Sequence, residues 1–185
     1  WLEVNGGSSG AVHITNIEGF GLGLVARRPI EKMQIVASVP KQLCLSLESA
    51  LLSECVRQLP PLLVDTLGDS VVGVALAAEL NAGCSSSISP WLQMLPSCED
   101  LPLLWEQRIL DGLLGGLDLY ERLVAMREEV AWEFEQIEDA LGDDLPFSRD
   151  DYWRASALLL SRAYSIEDRL TLPPLIDFAN HCDKL

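Results

Sequence analysis

The chain has 185 residues, 49% of them hydrophobic and 22% charged, a composition typical of a folded protein with a substantial core. Its formal net charge is −15 and no cluster of Lys or Arg offers a phosphate-binding patch, so nucleic acid is not expected as the main partner. Two explanations of the excess of acidic residues stay open: their charge attracts a basic protein segment, or it keeps a leucine-rich protein soluble.

The cysteines and the first residues of the chain indicate in which cellular compartment the protein is expected. The five cysteines are scattered and form no C-x-x-C pair: Cys44, Cys55, Cys84, Cys98 and Cys182. We therefore predict no metal site and no disulfide framework, and reduced thiols favour an intracellular protein. No targeting signal is visible after Trp1, and we expect the chain to be internal to a longer protein. Because the apolar run 71–80 is too short to span a bilayer and contains Glu79, no membrane partner is predicted.

The first 45 residues are predicted to form short strands. Residues 11–15 alternate in polarity as a strand does, and residues 34–39 form another β-rich run. A further short strand is predicted over residues 40–45. The glycine-rich stretch beginning at Phe20 leads from the first strand into the rest of this region.

Gly21, Gly23 and Ala26 match the dinucleotide-binding fingerprint in form. That fingerprint needs a helix directly after its turn, but the chain runs into Pro29 without a helical period. Two strands joined by a short turn are the better prediction. The glycines then indicate either a close approach by another backbone or a ligand, or simply a soft strand.

From Ser46 the pattern changes to a helical period, and we expect residues 46–145 to be almost wholly helical. Helices are predicted over residues 47–59, 70–82, 90–95, 105–111, 117–141 and 149–161. The apolar stripe of the helix predicted over residues 117–141 indicates a core-facing helix rather than a cofactor-binding element. Ser148, with Asp151 three residues on, is typical of a capping box at the start of the last.

Two stretches near the end carry candidate site residues. Ser161–Ser165 places Arg162 at the end of an apolar helix, and Leu172–His181 contains two prolines, one carboxylate and a final Asn-His pair. Because proline fixes φ and donates no hydrogen bond, the second stretch should enter extended. An arginine and an Asn-His pair at the ends of buried elements suggest a polar pocket in an apolar wall, although Asn-His also occurs as an ordinary turn.

Taken in order, four stretches resemble the SET-domain protein lysine methyltransferases, in particular the subgroup of the Rubisco large-subunit methyltransferase. They are Gly21–Ala26 with Ile30, Val39–Lys41, Ser161–Ser165 and Pro174–His181; Trp91 and Leu95–Pro96 fit the insertion of that subgroup. The resemblance covers almost the whole chain. It implies an α+β fold in which small SET-type β-sheets are split by a large all-helical insertion.

The same resemblance implies three regions and a cofactor. Residues 11–45 would be the N-terminal β-region, 46–147 the helical insertion, and 148–185 an incomplete return to the SET core. S-adenosylmethionine would donate the methyl group to a lysine ε-amine of a protein substrate. Its site would contain Phe20, Gly21, Leu22, Arg162, Asn180 and His181, with His181 acting largely through its backbone. We also predict that Phe20–Gly23, Arg162 and the Asn-His pair converge on one concavity.

Arg162 and Asp177 are implied on the target-lysine side, with Arg162 also near the methionine carboxylate. For Asp177 the alternative is a structural acid that accepts backbone hydrogen bonds. The catalytic tyrosine of the family follows the Asn-His pair, beyond Leu185, as does the segment that closes the pseudoknot. We therefore expect the chain to be a fragment that is inactive alone and contains no catalytic residue. Tyr164 lies in the wrong motif to replace that tyrosine.

Two functions of different classes stay open at this point. One is an enzyme whose longer parent methylates protein lysine; the other is a non-catalytic SET-like module that binds cofactor or a partner protein. An intracellular location is expected, in the chloroplast by family resemblance or otherwise in the cytoplasm or nucleus. The sequence indicates no oligomeric state.

Overall fold

The computed structural model describes residues 1–180, which divide into two compact units. The first, called here the β unit, is Trp1–Ser46 with Arg162–Leu185, and the second, the helical unit, is Leu47–Ser161. The predicted last region begins at residue 148, whereas residues 148–161 lie in the helical unit. The functional identities of the three predicted regions stay a prediction.

The described chain contains five strands and eight α-helices. In chain order they are β1 Val12–Ile17, β2 Gly21–Ala26, β3 Leu45–Ser46, α1 Leu47–Ala50, α2 Glu54–Gln58, α3 Pro61–Leu67, α4 Val71–Ala82, α5 Ser89–Leu92, α6 Gln107–Leu114, α7 Asp118–Leu141, α8 Arg149–Arg162, β4 Tyr164–Ile166 and β5 Arg169–Leu172. Short 3₁₀ turns occupy Lys41–Leu43, Gly68–Ser70, Gly83–Ser85, Pro102–Leu104, Gly142–Asp144 and Ile176–Phe178. The α+β class with small sheets and a large helical region is confirmed.

The β unit contains two small antiparallel sheets. Strands β1 and β2 form a hairpin whose register runs from the pair Val12–Ala26 to the pair Ile17–Gly21. The second sheet has the order β3-β5-β4, so a strand that precedes the helical unit pairs with one that follows it. Residues far apart in sequence are thereby brought into one unit.

Two local predictions in the β unit were wrong. Residues 34–39 are not a strand. Ser38 forms an isolated bridge with Ser8, and the Val36 carbonyl accepts one bond from the Ala11 N–H. No continuous ladder forms because the facing residues 8–10 turn. The strand predicted over 40–45 is a 3₁₀ turn that becomes a strand only at Leu45.

The β4–β5 hairpin was not predicted. Its two-residue loop, Glu167-Asp168, has φ of 54° and 60°, the positive values that a type I′ turn needs. Glycine and asparagine are the usual residues in such a turn, so Glu-Asp gave no signal.

The helical unit contains no strand among its residues, as predicted. Helices α4, α7 and α8 lie close to their predicted ranges. The helix predicted over 47–59 is instead α1 and α2, because Ser53 is extended at ψ 137° and breaks it. Helix α3 was missed because Pro60-Pro61 was interpreted only as a stop, whereas Pro61 occupies the first helical position, which suits proline.

The core of the helical unit lies around α4, whose residues from Val71 to Ala77 are all buried. Tyr152 of α8 packs against Phe134 and Phe147, and its hydroxyl donates a 2.8 Å bond to buried Glu133. The stretch Pro61–Ser85 is long and apolar enough to cross a membrane by those two measures alone. Its α4 part is packed as a core helix.

The start of α8 confirms the predicted capping box. The Ser148 backbone N–H donates to Asp151 Oδ2 at 2.9 Å, and the Asp151 N–H donates to Ser148 Oγ at 3.2 Å. Each residue thus satisfies a backbone donor that the first turn of a helix leaves without a partner.

Candidate functional site

The candidate site residues of the described chain lie in the β unit, on three elements. Phe20, Gly21 and Leu22 belong to the β1–β2 turn and the start of β2, Arg162 ends α8, and Asp177 lies in the 3₁₀ turn Ile176–Phe178. Asn180 follows that turn. His181 lies outside the described residues, so its predicted role is not addressed by the structure.

The β1–β2 turn is open to solvent. Phe20 is 76% exposed and Leu22 is 40% exposed, which is unusual for large apolar side chains. Gly21 has φ +74°, and a Cβ added there would meet nothing within 4 Å. The turn therefore presents bare backbone and apolar surface with room beside them, and glycine is the residue that adopts this conformation without strain.

Gly23 brings this hairpin against the C-terminal segment. A Cβ added at Gly23 would lie 2.7 Å from Asn180 Nδ2 and 2.7 Å from Ile17 Cδ1. Both separations are well inside van der Waals contact, so any larger residue would displace a neighbour. The structure thus places Asn180 directly against β2, next to the turn that carries the other candidate residues.

Arg162 contacts the turn that precedes Asn180 in three ways. Its Nη1 donates a 2.9 Å bond to the backbone carbonyl of Asp177 and lies 3.7 Å from the Asp177 carboxylate. Its guanidinium also lies 4.9 Å from the centre of the Phe178 ring, within the range of a cation–π contact. The Asp177 side chain is fully buried and that of Arg162 is 17% exposed, so this ion pair is shielded from solvent.

Tyr164 adds a contact to the same turn. Its hydroxyl donates a 3.1 Å bond to the carbonyl of Ile176. Burial raises the pKa of Tyr164, the Asp177 carboxylate raises it further, and Arg162 acts in the opposite direction. Because the ordinary pKa of tyrosine is already about 10, the hydroxyl keeps its proton at neutral pH and remains a donor.

The backbone of the turn is unusual at its entry. Leu175 has φ +71° and ψ −50°, a region that side chains other than glycine rarely occupy. The turn is closed by bonds from Asp177 N to Pro173 O at 3.0 Å and from Phe178 N to Leu175 O at 3.1 Å. The extended entry predicted for the two prolines is thus limited to their start after β5, because Pro174 already belongs to the tight turn.

The structure thus brings predicted residues together in two groups. Asn180 meets the hairpin at Gly23, and Arg162 meets the turn at Asp177. Convergence of all of them on one concavity stays a prediction. The sequence analysis included Gly23 among the converging residues but missed the contacts of Tyr164 and Phe178; only the position of Tyr164 two residues after Arg162 could have suggested a shared partner.

No group of three or more potential metal-ligating side chains exists among residues 1–180. The cysteines of that range are Cys44, Cys55, Cys84 and Cys98, and none of the four forms a disulfide. Burial raises the pKa of the Cys55 thiol to about 11, so this group is an unreactive core residue.

Comparison with known proteins points in one direction. No family model matches the chain. A chloroplastic fructose-bisphosphate aldolase lysine N-methyltransferase of Arabidopsis thaliana is 33% identical over 98% of this chain and 38% of its own length. The human actin-histidine N-methyltransferase is 30% identical over 100% of this chain and 34% of its own length. The chain thus spans little more than a third of these curated relatives.

Solved structures agree. The structure of Rubisco LSMT bound to AdoMet superimposes with a TM-score of 0.84 at 26% identity, over 99% of this chain and 43% of that one. The SET domain of LSMT bound to lysine and AdoHcy gives a TM-score of 0.83 at 25% identity, with the same coverage.

Proposed function

Because this chain belongs to the SET-domain methyltransferases over the part of their length that it spans, we propose that the protein transfers a methyl group from S-adenosylmethionine to a lysine of a protein substrate. The observation that carries the proposal is the contact of Asn180 with the glycine-rich hairpin at Gly23. It joins two elements, distant in sequence, to which the family resemblance assigns the cofactor.

The residues of the hairpin fit an adenosyl ligand. Gly21 leaves space beside its backbone, while Phe20 and Leu22 expose apolar surface on either side of it. The Asn180 amide has both a donor and an acceptor, which suits the edge of an adenine ring. We assign the cofactor to this surface, with His181 as a further member.

Bound S-adenosylmethionine supplies a methyl group on a sulfonium, to be taken up by an uncharged amine nitrogen of the substrate. The part of the protein in such a reaction is mainly to align the two reactants and to exclude water, since alignment alone supplies a large share of the rate. A desolvated lysine near a cation loses its proton more easily, because both effects disfavour the charged amine.

Arg162 and Asp177 are assigned to the methionine and target-lysine side. The buried Asp177 carboxylate lies beside Arg162, so in the described structure its charge is already balanced in part by the guanidinium. We propose that Asp177 acts on the substrate through Arg162, which keeps 17% of its side chain exposed.

Lysine is the proposed target because the aldolase enzyme of Arabidopsis acts on lysine and LSMT has been solved with lysine. Histidine is the second candidate, since the actin enzymes act on histidine. A non-catalytic module is not favoured, because these relatives are named as methyltransferases. From these relatives we also propose an intracellular location, and the chloroplastic Arabidopsis relative favours the chloroplast.

The proposal is tested first by titrating the chain with S-adenosylhomocysteine in a calorimeter. Binding is expected, and Asn180→Ala should raise Kd about tenfold by removing the paired donor and acceptor. Asn81→Ala is the matched control, because Asn81 is an exposed asparagine of the helical unit. Equal Kd values for wild type and Asn180→Ala would remove Asn180 from the site.

The reaction is tested by incubating the whole protein with a methyl-labelled cofactor and candidate protein substrates, while the 185-residue chain assayed alone is expected to transfer no label. Mass spectrometry of the products should place the label on lysine. Label on histidine alone would support the second candidate instead. No label on any of the aldolase, Rubisco or actin substrates would leave methyl transfer unsupported for those three proteins.

A further inference from the structure

Two residues at the junction of α8 and β4 donate side-chain hydrogen bonds to two successive backbone carbonyls. Arg162 donates to the carbonyl of Asp177 at 2.9 Å, and Tyr164 donates to the carbonyl of Ile176 at 3.1 Å. Arg162 is the last residue of α8 and Tyr164 is the first residue of β4, so one residue separates the two donors. Both side chains reach the turn Ile176–Phe178.

Local backbone bonds close that turn, but its entry has an unfavourable conformation. It is a single 3₁₀ turn of three residues, entered through Leu175 at φ +71°. A bulky residue in this conformation is strained, and such a conformation persists only where its surroundings hold it. Within the turn, the Ile176 carbonyl accepts from Ala179 N at 2.9 Å as well as from Tyr164. The external donors therefore contribute to the choice of this conformation over others.

The residue positioned by the turn is Asn180. It follows Ala179, whose N–H closes the turn, and its side-chain amide lies against the position where Gly23 lacks a Cβ. A small rotation of the Ile176 or Asp177 peptide unit would move Asn180 along the surface of β2. The fit at Gly23 leaves no room for such a shift toward the strand.

We infer that Tyr164 is a positioning residue, whose hydroxyl fixes the Ile176–Phe178 turn and thereby sets Asn180 against the β1–β2 hairpin for ligand binding. The identity of that ligand, an adenosyl cofactor, rests on the proposed function. Arg162 holds the neighbouring carbonyl, but it is also assigned to the site itself. Tyr164 is the better probe because its hydroxyl donates to a backbone carbonyl and the residue is not itself assigned to the site.

Tyr164→Phe removes this hydroxyl and keeps the ring. The loss of one partly exposed hydrogen bond should raise the Kd for S-adenosylhomocysteine about fivefold, measured by calorimetry on the 185-residue chain. Tyr152→Phe is the matched control, because it removes a buried tyrosine bond in the helical unit. It should lower the melting temperature more than Tyr164→Phe does and leave Kd unchanged.

A general loss of stability cannot produce that pattern, since the less stable variant is the one that keeps its affinity. If Tyr164→Phe binds as tightly as wild type, the inference is wrong. A rise in Kd with Tyr152→Phe equal to that with Tyr164→Phe would also overturn it, because affinity would then follow stability alone.

A second readout does not depend on the ligand. In ¹⁵N–¹H spectra of the unliganded chain, Tyr164→Phe should shift the side-chain amide signals of Asn180 and the backbone signal of Gly23. If wild type binds no S-adenosylhomocysteine, the proposed function fails for this chain. The Asn180 and Gly23 signal shifts still test whether Tyr164 positions Asn180. Unchanged Asn180 and Gly23 signals would overturn the inference whatever the binding result.

Discussion

The two units differ most in charge. The helical unit, Leu47–Ser161, contains 21 of the 28 acidic residues and 6 of the 13 basic ones, a net charge of −15. The β unit contains the other 7 acidic and 7 basic residues and is neutral. The acidity on which the expectation about nucleic acid rests is therefore a property of one unit, while the candidate site lies in the other.

They also differ in what holds them together. The helical unit has a core of fully buried side chains around α4, including Leu76 and Leu158 at 0% exposure. The β unit relies on short ladders, turns with positive φ and close backbone contact, and it leaves Met33 91% exposed and Ile35 80% exposed. The β unit also buries apolar side chains, among them Leu172 at 0% and Phe178 at 1% exposure, but its core is the smaller of the two.

The largest effect should come from the helical core. Leu158→Ala removes a fully buried side chain and is expected to lower the free energy of unfolding by about 2–5 kcal/mol, from lost burial and the cavity that remains. Chemical denaturation measures it. Leu62→Ala, at a position 78% exposed, is the control and should cost less than about 0.5 kcal/mol. Equal losses would mean that burial does not distinguish these sites.

Glycine substitutions should have opposite signs in the two units. Gly23→Ala places a Cβ 2.7 Å from the ends of the Asn180 and Ile17 side chains, which must leave their preferred rotamers, and is expected to destabilise by about 0.5–1.5 kcal/mol. Gly112→Ala lies in α6 with nothing within 4 Å and should stabilise by about 0.5–1 kcal/mol, because alanine favours a helix. Thermal unfolding of both variants checks the signs, and a neutral Gly23→Ala would contradict the close contact.

Tyr152→Phe should cost about 1–3 kcal/mol, since it leaves the buried Glu133 carboxylate without its donor. Burial, followed by Glu133, raises the pKa of Tyr152 far above its ordinary value of 10.0. Above pH 10 the unfolded chain loses this proton while the folded one keeps it, so wild-type stability should fall as pH rises. The difference between the variant and wild type should shrink between pH 9 and 11; a constant difference would be evidence against the shifted pKa.

The smallest effect is expected at the start of α8. Ser148→Ala removes the hydroxyl that accepts from Asp151 N–H and should destabilise by about 1 kcal/mol, measured by urea denaturation. Ser148→Asn keeps a capping acceptor and should recover most of the loss. If both variants behave alike, the cap contributes nothing to the helical unit.

The sequence by itself determined the helical unit and the kind of protein. Its predicted segments became α4, α7 and α8 because helical hydrogen bonds are local, and in α7 an apolar stripe already indicates which face is buried. Ser148 and Asp151 predicted their own cap for the same reason. The order of four short motifs was enough to indicate the family, since each motif carries residues whose chemistry or conformation is restricted.

Only the tertiary structure decided how the β unit is assembled. A strand needs a partner, and nothing in residues 34–39 shows that their neighbours turn away. Nor does Leu45 of β3 show that its partner, Leu172 of β5, lies 127 residues later. The contacts that define the candidate site are of this kind: Gly23 meets Asn180, and Tyr164 reaches a carbonyl 12 residues away. Hydrogen bonds to backbone carbonyls carry no side-chain signature on the accepting residue, so sequence patterns do not reveal them.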